Sequence, residues 1–104
     1  MTKPYKTKFK RNLLEALQAY IEQLLDQGSN QDDDRLLLSV LAEIHRRIAI
    51  KLYTPQHEYQ VSFTPAQAMA LRLLYIDYIC QPESYLGNKM HMVANEVHKQ
   101  FSKQ

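Results

Sequence analysis

Apolar residues recur at three- and four-residue spacing in two stretches of the N-terminal half, and this spacing predicts two amphipathic helices. The first covers 9–27 and ends at Gly28. The second begins at the acidic triplet 32–34, where Asn30 or an aspartate caps it, and ends near Tyr53, before Pro55. The two apolar stripes consist of Phe9, Leu13, Leu17, Tyr20, Ile21 and Leu24, and of Leu37, Leu41, Ile44, Ile48 and Leu52.

The C-terminal half begins with a different period, because apolar and polar residues alternate over 58–63. Alternation predicts an extended segment with one apolar face. This segment has no obvious strand partner, so we expect it to drape over the helices or to form a hairpin with 53–57. Thr64, Pro65 and Gln67 then predict a capped third helix to about residue 81. A fourth helix begins at 83–86 and continues nearly to the end, with its stripe at Leu86, Met90, Val93, Ala94, Val97 and Phe101.

These elements predict an all-α fold in which four helices form two antiparallel hairpins, with a short extended segment between helices two and three. A four-helix bundle and more obliquely crossing helix pairs are equally compatible with the pattern. At 104 residues the chain has the size of one domain. We therefore expect a basic N-terminal arm at 1–8 and a single helical domain at 9–104.

The third helix is apolar around most of its circumference, which is typical of a helix central to its fold or buried against another chain. Arg72 lies on its apolar side. Three roles remain open for this arginine: its stem packs on the core while the guanidinium reaches solvent, it pairs with an acid of another helix or subunit, or it binds an anion.

The excess of apolar surface on the third helix favours association with protein. Seven tyrosines and no tryptophan fit the same hypothesis, because tyrosine suits half-buried positions and interfaces. We therefore expect a non-enzymatic interaction module that binds a protein partner or itself as a homo-oligomer. The interface candidates are Tyr59, Val61, Phe63, Arg72, Tyr75, Ile76 and Ile79.

The charge distribution suggests an alternative function. The net charge of +2 hides an uneven distribution: five of thirteen basic residues precede Glu15, the first acid, leaving eight bases and eleven acids for the rest. A basic arm with aromatic residues can contact phosphates and stack on bases. The alternative is thus an accessory protein that binds nucleic acid, although no recognition-helix motif supports it. Its candidates are Lys3, Lys6, Lys8, Lys10, Arg11, Arg46 and Arg47.

The sequence contains no pattern that predicts catalysis, a cofactor or a metal. Cys80 falls at the C-terminal end of a helix, where a thiolate is disfavoured, so we expect an inert thiol. His91 and His98 are seven residues apart, about 10 Å along a helix, too far to share one ion readily. Gly-rich phosphate loops and nucleophile elbows are missing. No uncharged apolar run of 18 residues occurs, so we expect no membrane span and a cytoplasmic location.

Overall fold

The computed structural model describes residues 3–28, 32–79 and 84–101; the predictions for Asn30 and Cys80 lie outside them. The described elements follow one another with short connections, and a π-helical turn, Tyr75–Ile79, directly continues the third helix. In chain order they are β1 (Tyr5–Lys10), α1 (Arg11–Gln27), α2 (Asp32–Leu52), β2 (Glu58–Phe63), α3 (Pro65–Leu74) and α4 (Tyr85–Phe101).

The described residues form two compact units, which we name by their helices. The α1–α2 unit spans Lys8–Tyr59, and the α3–α4 unit combines the described residues of 1–7 with those of 60–104. The predicted boundary between arm and domain at residue 8 falls inside β1.

In the α1–α2 unit the two helices pack against each other through the predicted stripes. The buried residues recur at helical spacing because each helix turns one apolar face toward the other. Gly28 ends α1 as predicted: it adopts a φ of 65°, and its N–H donates to the Leu24 carbonyl oxygen at 3.1 Å. The buried residues of the predicted stripes are Leu13, Leu17 and Ile21 of α1, and Leu37, Leu41, Ile44 and Ile48 of α2; Leu14, outside the predicted stripe, is also buried.

The first helix begins later than predicted, because a strand precedes it; the division into an arm and a single domain stays a prediction. Residues 5–10 form β1, with Tyr5 and Phe9 buried, and α1 begins at Arg11 instead of residue 9. β1 pairs with β2, so the predicted extended segment is confirmed but does have a strand partner.

The strands run in opposite directions. The Tyr5 ring, at the start of β1, stacks on Phe63 at the end of β2, with ring centroids 6.4 Å apart. The Arg11 N–H, just after β1, donates to the His57 carbonyl oxygen, just before β2, at 3.1 Å. The fold is therefore mostly helical, as predicted, but contains a small sheet that the all-α prediction did not include; the packing of four helices into one bundle stays a prediction.

In the α3–α4 unit, both helices begin at hydrogen-bonded caps. The Thr64 hydroxyl accepts from the Gln67 N–H at 3.2 Å, and the Gln67 side-chain oxygen accepts from the Thr64 N–H at 3.1 Å. This is the predicted capping box, with Pro65 in the first turn. The Ser84 hydroxyl accepts from the Gly87 N–H at 2.9 Å and caps α4. α3 and the π-helical turn both pack on α4.

No helix among the described residues combines the length and the apolar character needed to cross a bilayer.

Candidate functional site

The outer face of α3 and its π-helical continuation carries an apolar stripe that the chain leaves exposed. Met69, Leu73 and Ile76 are 38%, 39% and 44% exposed. Met69 and Leu73, four residues apart, lie on one side of α3, and Ile76 follows near the start of the π-helical turn. We call these three residues the α3 stripe.

The opposite face of α3 is buried in its own unit. Leu71 and Leu74 have no exposed surface, and Ala68 has none either. Gln67, which the helical pattern places on the polar side, is also buried, because its side chain is used in the cap. α3 therefore has a complete buried face and, in addition, the exposed α3 stripe.

The π-helical turn separates two candidates that an α-helical spacing places together. Ile76 and Ile79 are three residues apart, but Ile76 is 44% exposed whereas Ile79 is buried. A π-helical turn contains more residues than an α-helical one, so a step of three no longer returns to the same face. Ile76 thus belongs to the surface, and Ile79 belongs to the core and is not available to a partner.

The half-buried Tyr75 holds the π-helical turn against α4. Its hydroxyl is 2.9 Å from His91 Nδ1, and the two rings lie 5.4 Å apart at 59°. The Asn95 amide nitrogen is 3.3 Å from His91 Nε2. Both ring nitrogens of His91 therefore have a polar partner. Tyr75 therefore has a structural role beside the α3 stripe.

Arg72 lies next to the α3 stripe and is half-buried. With Met69 it borders a small pocket whose other walls come from α4: Val97, His98 and Phe101. No described residue forms a hydrogen bond or an ion pair with the Arg72 or His98 side chain. Of the three predicted roles, pairing with an acid is therefore not seen within the described residues, and the packed stem agrees with the pocket wall.

The three candidates of β2 are core residues, so the structure does not present them to a partner. Tyr59, Val61 and Phe63 are 3%, 2% and 0% exposed. Their alternation was correctly interpreted as one apolar face, and this is the face of β2 that is buried.

Tyr59 also anchors the connection that follows α2. Its hydroxyl donates to the Thr54 carbonyl oxygen at 2.7 Å. It accepts from the Arg11 guanidinium at 2.6 Å and from the Gln56 N–H at 3.1 Å. Arg11 also donates to the Leu52 carbonyl oxygen at 3.4 Å, and its Nε is 3.7 Å from a Glu15 carboxylate oxygen. Arg11, proposed above for nucleic acid, is therefore engaged within the α1–α2 unit.

Tyr5 has a comparable role in the α3–α4 unit. Its buried hydroxyl donates to the Glu96 carboxylate of α4. Burial, and secondly the hydrogen bond to Glu96, raise the pKa of the Tyr5 phenol well above its ordinary value. The N-terminal strand is also held by Lys89, whose ammonium donates to Thr7 at 3.2 Å.

All the remaining basic candidates except Arg47 are exposed. Lys6, Lys8 and Lys10 alternate with Tyr5, Thr7 and Phe9 and share the outer face of β1. Lys3 precedes the strand and is also exposed. On α2, Arg46 is exposed and Arg47 is half-buried. The strand thus aligns Lys6 and Lys8, predicted to lie on a basic arm, with Lys10, predicted to lie in the first helix.

The described residues contain no group of three or more His, Cys, Asp or Glu side chains that could hold a metal ion. The three helical histidines lie at separate places in the fold. His91 bonds to Tyr75, His98 borders the Arg72 pocket, and His45 Nε2 lies 3.9 Å from the Glu22 carboxylate, too far for a hydrogen bond.

Sequence reasoning missed two of the three residues of the α3 stripe, Met69 and Leu73. The signal was present, because residues 69, 73 and 76 follow the helical period on a helix that already has a full core face. It also missed β1, although Tyr5, Thr7 and Phe9 alternate with lysines in the period of a strand. The positive charge of that segment was given more weight than its alternation.

Comparison with known proteins found no match: no family model matches the chain, and no curated protein or solved structure is significantly similar to it.

Proposed function

We propose that this protein is a non-enzymatic interaction module that associates with a second copy of itself through the α3 stripe. The observation that carries the proposal is the exposure of Met69, Leu73 and Ile76 on one side of a helix whose other side is already buried. Single exposed apolar residues are common on protein surfaces, but an aligned set marks a site of interaction.

The charges beside the stripe favour a second copy as the partner. Arg72 and the exposed Asp77 lie on the same helical segment and carry opposite charges. A surface that presents both signs next to an apolar stripe can complement a copy of itself, since the arginine of one copy meets the aspartate of the other.

The association is weak, because three half-exposed side chains cover much less than the roughly 800 Å² per partner of a stable interface. We expect a dissociation constant of about 100 µM, in the range of transient contacts. Exposed Met92 of α4 belongs to the same unit and is a further apolar surface residue.

Sedimentation equilibrium between about 10 µM and about 1 mM protein tests the proposal. The native chain should shift from monomer to dimer over this range. The double variant Leu73→Gln/Ile76→Gln should weaken association at least about tenfold, because it places amides on the stripe without touching the buried face.

The matched control is Leu36→Gln/Ile50→Gln on α2, whose two leucine-sized side chains are 70% and 68% exposed outside the stripe. This variant should associate like the native chain. A native chain that stays monomeric at about 1 mM contradicts the proposal. So does equal weakening by the control variant, which would show non-specific adhesion.

Nucleic-acid binding is the second candidate function, and the alignment of Lys6, Lys8 and Lys10 on the outer face of β1 favours it. Successive residues on one face of a strand are about 6.8 Å apart, close to the spacing of phosphates along an extended single strand. Ammonium groups in such a row can follow a phosphate backbone without reading its sequence.

Fluorescence anisotropy with single- and double-stranded DNA and RNA, measured against salt, tests this candidate. Lys8→Gln/Lys10→Gln should reduce the slope of log K against log salt by about 1.4 for single strands, because two phosphate contacts are lost. Point substitution is preferable to deletion of 1–8, which also removes buried Tyr5. Lys99→Gln on α4 is the charge control, and absence of binding at about 50 mM salt excludes the candidate.

A further inference from the structure

The pocket between α3 and α4 combines an apolar lining with two nitrogen-bearing side chains. Met69, Val97 and Phe101 supply apolar surface, and Arg72 and His98 supply the nitrogens. Val97 is fully buried, whereas His98 is exposed, so the pocket leads from the core of the unit to its surface.

The size of the pocket limits what it can hold. Its volume is about 130 Å³. A cavity of about 150 Å³ accommodates a benzene ring, whereas sites for cofactors and drug-sized molecules usually measure at least about 300 Å³. The pocket therefore fits one ring or one short branched chain, and it is too small for a nucleotide.

The charged groups around the pocket favour a ligand with a single negative charge. Arg72 is permanently charged, and its planar guanidinium can bind a carboxylate through two parallel hydrogen bonds. No described carboxylate occupies this position. His98 and Phe101 lie in the last turn of α4, where the negative end of the helix dipole disfavours anions, and a doubly charged anion such as phosphate more than a carboxylate.

We infer that this pocket binds a small monocarboxylate whose apolar group, of the size of a phenyl ring or a branched aliphatic chain, contacts Met69, Val97 and Phe101 while its carboxylate pairs with Arg72. The exposed His98 donates a second hydrogen bond at the rim. The carboxylate belongs either to a free organic acid or to the C-terminal residue of a peptide, since both present the same chemistry.

Titration followed by two-dimensional NMR of the full chain tests this inference, with phenylacetate as the probe. We expect a dissociation constant in the low millimolar range, as for other ligands of about ten heavy atoms. Phenylacetamide, which keeps the ring without the charge, and acetate, which keeps the charge without the ring, should each bind at least about tenfold more weakly.

Variants locate the binding. Arg72→Gln should weaken phenylacetate at least about fivefold and leave phenylacetamide unchanged, which separates loss of the charge contact from damage to the fold. His98→Gln should weaken phenylacetate by a smaller factor. The matched control is Arg46→Gln on α2, an exposed arginine outside the pocket, which should leave the titration unchanged.

A dipeptide ending in phenylalanine, compared with its C-terminal amide, distinguishes the two sources. Tighter binding of the free-acid dipeptide than of phenylacetate assigns the pocket to a chain end, and weaker binding assigns it to a free acid. Equal binding of phenylacetate and phenylacetamide, or phenylacetate binding that Arg72→Gln does not alter, overturns the inference.

This inference does not depend on self-association. The titrations use protein at about 50 µM, below the expected dimer constant, and sedimentation is measured on the native chain. A native chain that stays monomeric at about 1 mM but binds phenylacetate contradicts only the proposed function, and a native chain that dimerises without binding phenylacetate contradicts only the pocket.

Discussion

The two compact units bury their helices differently. In the α1–α2 unit, each helix has one buried stripe and a largely polar outer face, and the exposed apolar residues Leu36 and Ile50 are fourteen positions apart. In the α3–α4 unit, α3 buries one face completely and still presents the α3 stripe. The difference lies in alignment: the exposed apolar residues of α3 and its continuation fall close together within 69–76, whereas those of α2 are far apart.

The exposed apolar residues of α3 need an explanation, because formation of the core does not require them. A helix whose apolar stripe is as wide as its buried face is satisfied by its own chain, as α1 is. α3 contains more apolar surface than its buried face requires, and Met69, Leu73 and Ile76 stay exposed.

The largest effect is expected from the buried face of α3. Leu71→Ala should lower the free energy of unfolding by about 2–5 kcal/mol, because it leaves a cavity at a side chain with no exposed surface. Leu73→Ala, two residues away at 39% exposure, should cost less than about 1 kcal/mol. Urea denaturation measures both.

The corresponding pair on α2 is Leu41, with no exposed surface, and Leu36 at 70%. Leu41→Ala should lower the free energy of unfolding much more than Leu36→Ala does, since both helices bury one face. If Leu71→Ala and Leu73→Ala cost the same, α3 is enclosed on both sides and the distinction between the units is wrong.

A smaller effect is expected at the buried tyrosine of the α1–α2 unit. Tyr59→Phe removes the hydroxyl that binds Arg11, Gln56 and the Thr54 carbonyl. It should cost about 1–3 kcal/mol, because these groups are left without their partner. Tyr53→Phe is the control, because Tyr53 is 90% exposed. This variant should change the free energy of unfolding, measured by thermal or chemical unfolding, by no more than about 0.5 kcal/mol.

The smallest effect at neutral pH is expected at the buried tyrosine of the α3–α4 unit. Tyr5→Phe leaves Glu96 exposed and able to bind water, so the cost near pH 7 should be below about 1 kcal/mol. The variant differs from the native chain mainly in its response to alkaline pH.

The sign of that response follows from the raised pKa of Tyr5. Below about pH 10, the folded and unfolded chains both keep the phenol proton, and Tyr5 contributes no slope. Above it, the unfolded chain loses the proton while the folded chain keeps it, so the free energy of unfolding falls by up to about 1.4 kcal/mol per pH unit. In Tyr5→Phe the free energy of unfolding should fall less steeply at alkaline pH than in the native chain. Parallel curves of this free energy against pH for the two proteins would contradict a raised pKa of Tyr5.

The helical elements were largely predictable because their signals are local. The apolar periods of α1, α2 and α4, the glycine that ends α1 and the capping box of α3 each depend on residues within a few positions of one another. The extended segment of β2 was predictable from its alternation for the same reason. Of the candidate site, the sequence predicted the helix α3 and one residue of the α3 stripe, Ile76.

The amino-acid sequence by itself therefore determined the periods, caps and boundaries of most elements, since these follow from short-range sterics and hydrogen bonding. Only the tertiary structure decided that β1 pairs with a strand about fifty residues away, that β2 turns Tyr59, Val61 and Phe63 inward, and which apolar residues of α3 remain exposed. The physical reason is that burial depends on which distant surfaces meet. A pattern of apolar residues defines a face, but its neighbours in space determine whether that face is covered.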